Sequence, residues 1–140
     1  MHLPDKAIRQ DIRFTRPRAT APVVVAEGIV IENGLGVELR MNISFNPEIG
    51  AKTINVVEAG VGPICRLDVD GPAHRPAGRG HKHSMQTSDC QRADRNLRDG
   101  VMDRPDLLGR PLRDVLDEFC RISNIQLGGH VEIPEQGSQP

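Results

Sequence analysis

The chain has no tryptophan and no tyrosine, and only three phenylalanines among its 140 residues. Surface aromatic rings are what single-strand binders use to stack successive bases, so their scarcity nearly excludes that class of nucleic-acid protein. The core must come from Val, Ile, Leu and Met. Cysteine is scarce as well: Cys65, Cys90 and Cys120 are odd in number and contain no C-x-x-C spacing. With no apolar run after Met1 to act as an export signal, the expectation is a cytoplasmic protein whose thiols pack as small hydrophobes. No stretch approaches the roughly 20 apolar residues that a membrane-spanning helix needs, so no membrane partner is expected. A dominant charge is missing too. The net charge of −1 conceals a basic start, with Lys6, Arg9, Arg13, Arg16 and Arg18, and an acidic end, with Asp114, Asp117, Glu118, Glu132 and Glu135.

What is present predicts one α+β domain. Residues 1–21 show no clean period and read as a loosely ordered basic arm, 22–133 as the domain, and 134–140 as a disordered tail. Val23 to Ile31 is apolar and β-branched, and Asn33-Gly34 suits a two-residue hairpin turn. Leu35, Val37, Leu39, Met41, Ile43 and Phe45 then alternate with smaller or polar residues, the period of a strand with one buried face. Thr53 to Glu58 reads as a third strand and Cys65 to Asp70 as a fourth, with Arg66 and Asp68 on its polar side. His81 to Gln86 reads as a short fifth strand beside the fourth. A short helix is expected over Asp89 to Leu97. Leu112, Val115, Leu116, Phe119 and Ile122 repeat on one helical face after Pro111, and residues 130–133 suggest an edge strand. The expected architecture is an antiparallel β-meander of four to five strands with a C-terminal amphipathic helix packed on it.

The densest chemistry lies between residues 74 and 83, where His74, His81 and His83 keep company with Arg75, Arg79 and Lys82. In a strand His81 and His83 share one face and Lys82 takes the other. Metal-independent RNA cleavage needs a base for the 2′-hydroxyl proton, an acid for the leaving oxygen and cations for the charge that builds on phosphorus. His81, His83, His74 and Asp68 are therefore candidate catalytic residues, and Arg66, Arg79, Lys82 and Arg75 candidate phosphate ligands. No cofactor is called for.

Three other readings stay open. The histidines fit equally as half-buried structural residues beside Met85. The H-x-H pair, joined by His74, Cys90 or Asp89, is also a candidate zinc site. A non-catalytic protein, borne by a mobile element or phage and inhibiting a host complex through its sheet and basic loop, is the remaining alternative. Arg66 and Asp68 either orient neighbouring histidines or form a solvated ion pair.

Arg66-Leu67-Asp68, followed by Gly78-Arg79-Gly80-His81-Lys82-His83, resembles the R-x-D, glycine-rich, H-x-H run of the TumE-like toxins of bacterial toxin–antitoxin systems. The order of elements around this run is similar over roughly residues 27 to 122. The resemblance implies a small RNA-cleaving toxin neutralised by a cognate antitoxin, with His81, His83, Arg66 and Asp68 as functional residues. RNA, the antitoxin and a second copy of the chain are the partners expected.

Overall fold

A computed structural model describes residues 6–70, 80–84 and 102–134, with only the backbone described at 80–84, 102 and 103. The strands are β1 (Lys6–Ile8), β2 (Val24–Ile31), β3 (Leu39–Asn46), β4 (Ala51–Glu58), β5 (Gly62–Val69), β6 (Gly80–Ser84), β7 (Met102–Asp103) and β8 (Ile125–Leu127). The single α-helix among the described residues is α1 (Leu112–Ile122), preceded by a 3-10 turn at Pro105–Leu107. Strands β2 to β7 form a six-stranded sheet in chain order, each antiparallel to the next. The architecture is α+β, as its alternating strands and one amphipathic helix predict.

Alternation decides which side of the sheet is buried. Leu39, Met41, Ile43 and Phe45 on β3 lie beside Ile54 and Val56 on β4 and Leu67 and Val69 on β5, all 1% exposed or less. Leu112, Val115, Leu116 and Phe119 of α1 join the same core. The helix runs over the range its apolar spacing predicts. The opposite face of the sheet carries Arg40, Asn42, Ser44, Thr53, Asn55, Arg66 and Asp68.

Several expectations are corrected. The meander has six strands rather than four or five, because Met102–Asp103 adds an edge to β6. Within the segment expected as a loose arm, Lys6–Ile8, Ile12 and Thr15 pair in strands or bridges with other parts of the chain. β1 pairs in parallel with β8 in a separate two-stranded sheet, and Ile8 and Ile12 are fully buried. Residues 130–133 do not extend the main sheet: Val131 makes an isolated parallel bridge with Ile12. The turn after β2 is wider than two residues. Asn33 Oδ1 accepts the N–H groups of Leu35 and Val37 at 3.1 Å, Asn33 Nδ2 donates to Val37 O at 2.7 Å, and Gly36 supplies the positive φ of 68°. Side-chain bonding thus absorbs residues that the alternation assigns to β3. Cys65 is disulfide-bonded, against the expectation that all the cysteines are thiols, and the Ser123 hydroxyl lies 3.8 Å from its sulfur. Cys120 is free and buried. The helix expected over 89–97, Cys90 and the tail from 135 lie outside the described residues.

Two polar clamps tie strand ends to the helical layer. At the end of β5, Asp70 adopts φ 61°, a conformation Asp tolerates better than most residues. Its carboxylate meets the Lys52 ammonium at 2.9 Å and accepts the Gly109 N–H at 3.0 Å. Lys52 is fully buried and also donates to Gly50 O at 2.7 Å. After β7, Arg104 bridges Asp106 at 2.8 Å and Glu118 of α1 at 2.7 Å.

Arg121 and Arg104 donate to the Glu118 carboxyl and hold it at about 2, well below its ordinary 4.5. A folded-state value below the unfolded one means this contribution is full above about pH 4.5 and drains away as the pH falls toward 2. Glu118→Gln is expected to cost about 1 kcal/mol at pH 7, the scale of a partly exposed charge-assisted bond. Urea unfolding should show that difference narrowing as the pH drops from 7 to about 3.

Candidate functional site

The alternation that buries one face of β4 and β5 leaves their polar residues in register on the other. On the described backbone, Thr53 stands opposite Asp68, Asp68 opposite position 81, and position 81 opposite Asp103. One step along, Asn42 stands opposite Asn55, Asn55 opposite Arg66, and Arg66 opposite position 83. Directly opposed residues of antiparallel strands lie on the same face with Cβ atoms about 4.5–5.5 Å apart. The fold therefore brings His81, His83, Arg66 and Asp68 to one patch. On the backbone, position 82 stands opposite Leu67. His74, Arg75 and Arg79 lie outside the described residues.

The Arg66–Asp68 pair is built rather than incidental. Asp68 is 7% exposed, so its charge requires partners. Thr53 Oγ1 donates to Asp68 Oδ1 at 2.8 Å, and Arg66 Nε lies 2.9 Å from Asp68 Oδ2. Using Nε for this contact fixes the plane of the guanidinium. The Arg66 side chain is nevertheless half exposed, which leaves its terminal nitrogens at the solvent side.

Asp103 was not reachable from sequence spacing, since a two-residue strand has no period to detect. Its register position beside 81 puts a second acidic residue in the row. Asn42 and Asn55 stand opposite each other on the same face. Asn42 Nδ2 donates to Asn55 Oδ1 at 3.2 Å, and Asn42 Oδ1 accepts the Gly28 N–H at 2.9 Å.

Elsewhere the chemistry is weaker. An open concavity of about 410 Å³ beside α1 is lined by Asp106, Arg110, Asp114, Asp117, Glu118 and Arg121. Its charges neutralise one another: Arg110 pairs with Asp114 at 3.3 Å and Arg121 with Glu118 at 2.8 Å, while Arg113 holds Asp117 at 3.0 Å. Burial pushes the Cys120 thiol up to about 12, so it supplies no thiolate nucleophile near neutral pH. Among the described residues no group of three or more His, Cys, Asp or Glu is placed to hold a metal ion, and no helix is long and apolar enough to cross a membrane.

Comparison of the chain with protein-family models, curated proteins and solved structures finds no match.

Proposed function

We propose that the protein is a metal-independent ribonuclease whose active site is the β5–β6 patch. The observation that carries this reading is the register, with Asp68 opposite His81 and Arg66 opposite His83. Of the two, His81, which stands opposite Asp68, is assigned as the acid, and His83, which stands opposite Arg66, as the base. His83 removes the 2′-hydroxyl proton, and the 2′-oxygen attacks the adjacent phosphorus. The bond from phosphorus to the 5′-oxygen breaks, and His81 gives that oxygen its proton. The products end in a 2′,3′-cyclic phosphate and a 5′-hydroxyl, so atoms and charge balance without a metal or external nucleophile.

Arg66 stabilises the non-bridging oxygens as negative charge grows on them. Asp68 and Thr53 hold that guanidinium in place. The resemblance to TumE-like toxins points in the same direction, and the antitoxin partner it implies belongs to this proposal. The test is incubation of the wild-type protein with unstructured RNA in the presence of a chelator. Fragments carrying cyclic phosphate ends are the expected result, and intact RNA would refute the assignment.

A further inference from the structure

The open face contains a chain of oriented amides that ends beside Arg66. The backbone N–H of Gly28, at the irregularity between Ala26 and Ile29 in β2, can only donate. Its bond to Asn42 Oδ1 at 2.9 Å therefore fixes which way the Asn42 amide points. Asn42 Nδ2 is thereby directed at β4, where it donates to Asn55 Oδ1 at 3.2 Å. With its oxygen engaged, Asn55 has an Nδ2 that meets no acceptor among the described residues. Directly across from it stands Arg66, whose Nε is engaged by Asp68 and whose terminal nitrogens meet no acceptor among the described residues.

We propose that Asn55 Nδ2 and the terminal nitrogens of Arg66 together form a phosphate subsite for the backbone of single-stranded RNA. This rests on the ribonuclease reading for the identity of the ligand. An amide and a guanidinium fork offer only donors here, which suits the non-bridging oxygens of a phosphodiester and no cation. Phe45 and Phe119 are fully buried, so this face has neither of them to offer as a base-stacking platform. Recognition through phosphate is therefore sequence-tolerant and salt-sensitive. Asn55 is a binding residue of this site, and Asn42 and the Gly28 N–H are positioning groups that act through it.

The experiment measures binding of a fluorescent 2′-O-methyl oligoribonucleotide, which lacks the attacking hydroxyl and cannot be cleaved by this route. Asn55→Asp replaces the donor by a negative charge and is expected to weaken binding by more than about tenfold. Asn42→Ala frees the Asn55 amide to turn and should weaken it by about threefold. Arg66→Gln should lower the slope of log affinity against log salt by about one phosphate contact. Thermal melting of each variant establishes that it is folded. Folded Asn55→Asp that binds like the wild type overturns the subsite, as does a wild type that does not bind. The two claims separate cleanly: binding lost in Asn55→Asp while no form cleaves RNA keeps the subsite and removes the ribonuclease reading, whereas full binding by that variant beside histidine-dependent cleavage removes the subsite alone.

Discussion

His81→Ala and His83→Ala are each expected to slow RNA cleavage by about 10²- to 10⁴-fold, the usual contribution of one positioned acid or base. The two losses should not multiply. Once either proton transfer fails the other has little left to assist, so the double variant should resemble the worse single one. Binding of the uncleavable RNA analogue should survive both substitutions, because Arg66 and Asn55 on β5 and β4 are untouched. Single-turnover rates measured beside analogue affinities distinguish a lost catalyst from a lost binding surface. Neither change enlarges the core that supports the site, since positions 81 and 83 lie opposite Asp68 and Arg66 on the open face. Unchanged rates in both variants would contradict their assigned roles.

Asp70→Ala is expected to destabilise the fold by about 3–5 kcal/mol, the scale of a buried ion pair stripped of one partner. Lys52 is fully buried on the core face of β4, with Phe45 and Val69 as its cross-strand neighbours. Removing Asp70 strands its ammonium with Gly50 O as its remaining hydrogen-bond partner among the described residues. The Gly109 N–H loses its acceptor at the same time, and alanine is a poor occupant of φ 61°. Asp70→Asn keeps the tolerant backbone and an acceptor, so it should cost less than alanine. Lys52→Met in the Asp70→Ala background should recover part of the loss by removing the stranded charge. Urea unfolding of the four proteins checks the order. An Asp70→Ala midpoint equal to that of the wild type would refute the clamp.

The features legible in the sequence are those set by a simple period. Leu39 to Phe45 alternate because only one face of β3 is covered, and the same rule sent Arg66 and Asp68 to the polar side of β5. Helix α1 was legible for the equivalent reason at the helical spacing. What escaped depends on pairings between distant residues. Lys6–Ile8 is too short and too charged to advertise a strand, yet parallel pairing with Ile125–Leu127 completes the layer over the core. Lys52 breaks the apolar phase of β4, and nothing local reveals that Asp70 will neutralise it. Asn33-Gly34 looked like a tight hairpin because the dipeptide suits one, whereas the Asn33 side chain instead organises a wider loop out to Val37. Of the site, the residue types were legible and their arrangement was not. The pairing of 68 with 81 and 66 with 83 follows from a strand register that spacing alone does not specify, and Asp103 joins only through β7.

An active site on the β5–β6 face requires that the folded protein cut RNA by itself. The decisive measurement incubates wild-type protein with unstructured RNA in excess chelator and identifies the fragment ends, with the His81→Ala/His83→Ala double variant alongside and circular dichroism establishing that both are folded. Fragments ending in 2′,3′-cyclic phosphate from the wild type and intact RNA with the double variant are the predicted result. Intact RNA in both, or the same fragments in both, would contradict an active site on the β5–β6 face.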